Sequence, residues 1–273
     1  MNEISRIAAG FRVLDATRHQ GGARRSCRQD IAEETPIGLV YNDTLFAVMM
    51  ASPLDLEDFA YGFSLTEGLV GDVDELYLAG IEPTSEEDGF RLFMAVPTAS
   101  FAKAQAARRD LTVGSGCGLC GVSSFAEALR PLPPVTSPLR IPPAAITNAV
   151  AALPTVQTLN RRVKAVHAAA FAGPDGHILA VREDVGRHNA LDKLIGHLVR
   201  EGIDPGSGFA VMSSRCSFEL VHKAAAAGIP LIATISAPTS LAAEFAHDVK
   251  LTIASSATDD GFTVYSTPER LKS

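Results

Sequence analysis

Between Leu129 and Ala144 the chain carries six prolines, at Pro131, Pro133, Pro134, Pro138, Pro142 and Pro143. Each lacks a backbone donor, fixes φ and pushes the residue before it out of the helical region. Neither a helix nor a central strand can run through such a stretch, so residues 131–143 read as a linker or rigid crossover between two halves. Each half must then build its core from its own periodicity.

The second half alternates. Residues 176–182 read as a strand, and Leu191, Leu194, Ile195 and Leu198 form the apolar stripe of a helix. A strand at residues 209–212 leads to a helix over 219–227 closed by Gly228. Residues 229–236 form a nearly continuous apolar strand, Pro238 opens a helix to His247, and residues 251–254 and 262–265 complete the set. Strands alternating with helices imply a sheet with helices on both faces. The first half reads differently. Residues 37–41 and 44–50 flank Asn42-Asp43 as a hairpin. Ser52-Pro53 supplies an N-cap and first-turn proline for a helix carrying Leu56, Phe59, Ala60 and Phe63, ending near Glu67-Gly68. A strand over residues 90–96 and a helix over 98–109 follow. The expected architecture is α/β: a flexible segment over residues 1–30, an α+β domain over 31–130, and a three-layer α/β domain over 144–273.

At 273 residues and 47% apolar, the chain can bury one large core or two ordinary ones, and the patterns favour two. The longest apolar stretch, residues 228–237, contains Pro230 and falls far short of a membrane span. A net charge of −7 argues against general affinity for nucleic acid. Residues 1–15 contain no continuous apolar run of the kind a secretory signal needs, which points to a reducing, cytoplasmic setting.

Four cysteines occur, and two of them, Cys117 and Cys120, share the glycine-rich run Gly114-Ser-Gly-Cys-Gly-Leu-Cys-Gly121. Glycine strips away bulk that would shield a thiol, so this loop displays its sulfurs. A structural zinc takes four ligands, and there is no second C-x-x-C to complete one. The residues leave three readings open: a sulfur carrier, a thiol-disulfide redox pair, or a cofactor-binding chaperone in which the thiols are secondary. A helix can follow, since Ser124 and Glu127 are spaced as a capping box. Gly116, Gly118 and Gly121 match G-x-G-x-x-G, yet no acidic residue lies where a dinucleotide fold needs one. Cys27 reads as a spare thiol among arginines, and Cys216 as a packed one.

Three segments put polar groups where strands hand over to helices. In the first, Arg182-Glu183-Asp184-Val185-Gly186-Arg187-His188-Asn189, Asp184 and Asn189 read as helix caps and Glu183 as part of a solvated turn. The others are Ser213-Ser214-Arg215-Cys216-Ser217-Phe218-Glu219 and Ser236-Ala237-Pro238-Thr239-Ser240. Strand ends and helix N-termini attract anions, so Arg187, His188, Ser214, Arg215 and Ser240 are the candidate ligands of a phosphate or nucleotide. His167 lacks the H-x-E partner of a zinc deaminase, because position 169 is alanine.

Together, Cys117-Gly-Leu-Cys120, Glu183-Asp-Val-Gly-Arg-His-Asn-Ala-Leu-Asp-Lys193, Ser217-Phe-Glu-Leu220 and Ser236-Ala-Pro-Thr-Ser240 resemble the FdhD family of sulfur carriers required for formate dehydrogenase activity. The resemblance implies a C-terminal half similar to the cytidine-deaminase architecture without its zinc, and a homodimer. It implies a cysteine desulfurase as sulfur donor, formate dehydrogenase as client, and the bis(molybdopterin guanine dinucleotide) form of the molybdenum cofactor as recipient, with a guanine nucleotide as its mimic. Cys117 falls where the family's persulfide-bearing cysteine lies, and Cys120 matches its partner. Ser256, Ala257, Thr258, Asp259, Asp260 and Gly261 fall on the family's cofactor-binding stretch. That stretch is basic in relatives, and here it carries two aspartates, which would repel a pyrophosphate. Residues 162–166 also depart from the family's usual Thr-Gly-Gly-type run before His167.

Overall fold

Gly21 and Gly22, both at positive φ, turn the chain between β1 (Phe11–Gln20) and β2 (Ala23–Ala32), which pair antiparallel from Phe11↔Ala32 to Gln20↔Ala23. The segment expected to be irregular is therefore a hairpin over most of its length. It lacks periodic apolar positions because it stands largely exposed, held by its ladder and by a turn that glycine makes cheap. The computed structural model describes residues 10–84, 88–108 and 130–272.

The expected second hairpin follows. β3 (Thr35–Tyr41) and β4 (Thr44–Ala51) pair antiparallel across Asn42 and Asp43, both at positive φ. α1 (Leu56–Thr66) starts after Asp55, which makes no side-chain cap, and not after Ser52; it ends at Glu67 with Gly68 at φ +70°. β5 (Tyr77–Thr84), unforeseen, and β6 (Gly89–Ala95) complete a four-stranded sheet of order β4-β3-β6-β5. Ile37, Leu39, Tyr41, Leu92 and Met94 on one face pack with Phe59, Ala60 and Phe63 of α1. α2 (Thr98–Arg108) adds Phe101 to that core.

The proline-rich stretch is a strap laid on the second unit. Val135 is buried and its N–H donates to the Val249 carbonyl, Arg270 donates to the Val135 and Ser137 carbonyls, and Ile141 bridges to Leu271. Beyond it come α3 (Pro143–Val156), α4 (Thr158–Val163), β7 (His167–Ala172), β8 (Ile178–Asp184) and α5 (Arg187–Arg200). β9 (Phe209–Met212), α6 (Phe218–Ala226), β10 (Leu231–Thr234), α7 (Ser240–Asp248), β11 (Thr252–Ser255) and β12 (Thr263–Val264) follow. The six-stranded sheet has order β12-β11-β10-β9-β7-β8. Its four central strands, β11, β10, β9 and β7, are buried on both faces, while the edge strands β8 and β12 are partly exposed. Ala168, Ala170, Val211 and Ala233 meet α3, while Ala169, Phe171, Met212 and Ile232 meet the layer of α5, α6 and α7. β7 and the two helices before it were missed, because His167-Ala-Ala-Ala carries no strand propensity of its own.

The two sheets are joined through helices. α1 crosses α5 at Gly62 and Gly196, where a Cβ on Gly62 would lie 1.7 Å from the Asp192 carbonyl oxygen and one on Gly196 1.8 Å from that of Asp58. Only glycine permits so close an approach.

Candidate functional site at one edge of the six-stranded sheet

β9, β10 and β11 run parallel, β7 runs against β9, and β8 against β7. The C-terminal ends of β8, β9, β10 and β11 and the start of β7 consequently share one edge. That edge gathers His167, residues 185–188, 213–217, 235–240 and 256–261. Backbone bonds tie the turns together: Cys216 N–H to Ala237 O at 3.4 Å, Thr239 N–H to Cys216 O at 3.0 Å, and Ala257 N–H to Thr234 O at 3.0 Å. Three helices begin here. α5 and α6 start at Gly186 and Ser217 without a side-chain cap, whereas the Thr239 hydroxyl of α7 accepts from Ala242 N–H. Such an edge, at the carboxyl ends of parallel strands, is where open α/β sheets take ligands.

The densest polar segment divides its labour. Asp184 is fully buried; its Oδ1 accepts from Gly186 N–H and Asn189 Nδ2, and its Oδ2 from Lys193 Nζ at 2.6 Å and Ser52 N–H at 2.9 Å. Lys193 also donates to the Ser52 carbonyl, and Asn189 to that of Met50. Ser52, expected as a helix cap, instead locks the N-terminal half to this hub. Asp192 accepts from Thr66 Oγ1 and Lys223 Nζ, and Lys223 reaches Glu67 as well. Burial opposes the charge on Lys223, yet Asp192 and Glu67 hold its ammonium protonated above the ordinary lysine range. Asp58 pairs with Arg182 and Arg200 across the same seam. Glu183 is buried too, accepting from Leu159 and Asn160 N–H groups to cap α4, so the solvated-turn expectation is corrected.

Arg187 and His188 are left facing the edge. His188 Nε2 lies 2.7 Å from Glu219 Oε2 and 3.3 Å from Ser217 Oγ. Glu219 Oε1 and Arg187 Nε are both sealed from solvent and have no hydrogen-bond partner among the described residues. His167 joins the group: burial, then Arg187 and His188, push its pKa below the usual histidine value, so the ring is neutral at pH 7. Glu219 was not foreseen as a site residue. Its position two residues after the serine that opens α6 is a signal, but one that ordinary first-turn carboxylates share.

The remaining expected residues lie at the same edge with less to show. Ser214 is buried and its hydroxyl donates to the Arg215 carbonyl, while Arg215 and Ser240 are exposed. Ser256 is exposed at φ 53°, Ala257 is buried, and Thr258 closes a turn through Gly261 N–H with Asp259 and Asp260 at its exposed tip. Burial pushes the Cys216 thiol up to about 12, so it is held protonated and unreactive. Cys27 sits half-buried in the hairpin against the Ala16 carbonyl. Cys117, Cys120 and the Ser124/Glu127 capping box lie outside the described residues. The chain re-enters them at Arg130, whose guanidinium donates to the Thr66 and Glu67 carbonyls at the end of α1. The Arg130 carbonyl accepts from His222 Nε2, so that nitrogen carries the proton. His222 stands one turn along α6 from Glu219.

Residues 32–272 match the model of the FdhD/NarQ family. The "Sulfur carrier protein FdhD" of Xanthomonas euvesicatoria pv. vesicatoria is 46% identical over 265 residues, covering 97% of this chain and 94% of its own. That of Chromobacterium violaceum is 44% identical over 268 residues, covering 97% and 98%. Among solved structures, a protein from Desulfotalea psychrophila described as a formate dehydrogenase accessory protein superposes with a TM-score of 0.73 at 22% identity, covering 96% of this chain and 99% of that one.

Proposed function

This chain belongs to the FdhD/NarQ family, and from that premise we propose that it is a sulfurtransferase that carries sulfur as a cysteine persulfide for the activation of formate dehydrogenase. The observation that carries the reading is the near-full-length identity, 46% and 44%, to proteins named as sulfur carriers. In the proposed reaction a cysteine desulfurase presents its persulfide. The Cys117 thiolate attacks the outer sulfur, an S–S bond forms at Cys117, the donor's S–S bond breaks, and the donor cysteine leaves as a thiolate. Cys120 is the second thiol of the pair. Burial of Cys216 supports this choice by removing it from the candidates.

The recipient is the molybdenum cofactor in its bis(molybdopterin guanine dinucleotide) form, bound by its guanine nucleotide portion at the sheet edge. The residues there fit such a group. Arg187 and the uncapped N-termini of α5 and α6 offer donors and positive potential to a pyrophosphate, with Ser214, Arg215 and Ser240 beside them. Asp259 and Asp260 on the neighbouring turn set a limit on affinity, and Asp259→Asn/Asp260→Asn should tighten nucleotide binding if that turn approaches the phosphates. The re-entry of the chain at Arg130, against the helix that carries Glu219, supports delivery between the cysteine pair and this edge. We read the protein as a cytoplasmic homodimer, and its C-terminal unit as a deaminase-like sheet; the order β8-β7-β9-β10-β11 supports the latter. Sulfur delivery from a cysteine desulfurase, scored by activation of formate dehydrogenase, tests the assignment. Cys117→Ala should abolish it and Cys120→Ala weaken it, whereas full activity of Cys117→Ala would contradict the reading.

A further inference from the structure

Four buried side-chain polar atoms lack a partner among the described residues, and two of them belong to one cluster. Arg187 Nε is a donor and Glu219 Oε1 an acceptor, linked by His188, which follows Arg187 in sequence and holds the other Glu219 oxygen at 2.7 Å. Leaving such groups unsatisfied costs on the order of 1–3 kcal/mol each, more when they are charged. Groups kept at that cost, at the edge where five strands end, are matched to a ligand that supplies what each lacks. A phosphate satisfies only Arg187. It is acceptor-rich and would be repelled by a carboxylate. The carboxylate asks for an N–H donor and Arg187 for an acceptor such as a phosphate oxygen, so the two call on different parts of one nucleotide.

We infer that Glu219 determines specificity at this site by accepting N–H hydrogen bonds from a ring bearing a 2-amino-lactam edge, while Arg187 is left to the pyrophosphate of the same nucleotide. The inference rests on the nucleotide-site reading above and adds to it the residue that tells one base from another. Guanine and a pterin share this edge, whereas adenine presents a bare ring nitrogen where the lactam has N–H. A carboxylate facing that nitrogen is left desolvated and unpaired, so adenine is rejected, as in other sites whose buried polar groups lose their partner. The His188 contact fixes the orientation of the carboxylate. One oxygen is occupied, and the other has no partner among the described residues.

Titration calorimetry on the full chain with GDP, IDP, ADP and neopterin tests this. The unaltered protein should prefer GDP over ADP by at least about tenfold, the worth of one charge-assisted hydrogen bond. IDP, which lacks the 2-amino group, should fall between them. In Glu219→Gln, His188 keeps an oxygen partner but an NH2 group faces the ligand, so the preference should collapse while the melting temperature stays near that of the parent. Binding of neopterin that is lost in the same variant would assign the edge to the pterin, and binding of GDP alone to the guanine. Equal affinity for GDP and ADP, or an undiminished preference in Glu219→Gln, would overturn the role of Glu219 and leave the pocket standing. No binding of any of the four probes would overturn the pocket reading itself.

Discussion

Lys193 is wholly buried, and its charge is matched by one carboxylate, Asp184, that is equally buried. The pair does not touch the proposed ligand. It fastens the N-terminal half of α5 to the backbone of Ser52, and so sets where Arg187 and His188 stand. Removing one partner strands the other charge in a dry interior, so Lys193→Met should lose about 3–5 kcal/mol in urea unfolding. A loss below about 1 kcal/mol would mean the hub contributes little. His222 supplies a pH test. Burial, then the charge of Arg130, lowers its pKa from 6.5 to about 4. The unfolded chain therefore binds a proton that the folded chain refuses between those values, and its contribution to stability is lost as pH falls from about 6.5 to 4. His222→Gln should flatten the fall in melting temperature over that window. An unchanged slope would assign the acid sensitivity elsewhere.

Helices α1 and α5 show how far patterns reach. The apolar stripes Leu56-Phe59-Ala60-Phe63 and Leu191-Leu194-Ile195-Leu198 were legible, as were the strands that follow a 2-residue period or a continuous apolar run. What was not legible is the polar face of α5. Asp192 and Lys193 look solvated by spacing, yet both are buried at the seam with the first unit, where Gly62 and Gly196 let the backbones of α1 and α5 meet. A single sequence cannot show that a glycine in one helix has its counterpart in another. Gly196→Ala should accordingly cost at least the 1–3 kcal/mol typical of overpacking, because the obstacle is backbone and cannot swing aside. Gly80→Ala, where a Cβ meets nothing within 4 Å, is the control and should be neutral by the same thermal assay. The candidate site was half legible for a related reason. Turn residues at strand ends pointed to this edge through Arg187 and His188, while Glu219, a residue in an amphipathic first turn, gains meaning only from the 2.7 Å contact with His188.

The four- and six-stranded sheets are clamped through α1 and α5, with the proposed ligand edge on the second unit and a cysteine pair between the units in sequence. Among the described residues no helix is long and apolar enough to cross a membrane. The clamp is built on buried ion pairs, Lys193 with Asp184 and Lys223 with Asp192, and the chain re-enters beside it at Arg130. The Cys216 thiol is held protonated inside the fold, which removes it from the candidates for the proposed sulfur transfer. The most direct measurement is persulfide trapping followed by peptide mass analysis, after the full chain is incubated with a cysteine desulfurase and cysteine. The account predicts sulfane sulfur on the peptide holding Cys117 and Cys120, lost in Cys117→Ala, and none on the peptide holding Cys216. Sulfur on neither loop cysteine, or a loop disulfide that cycles with thioredoxin without ever carrying a persulfide, would contradict it.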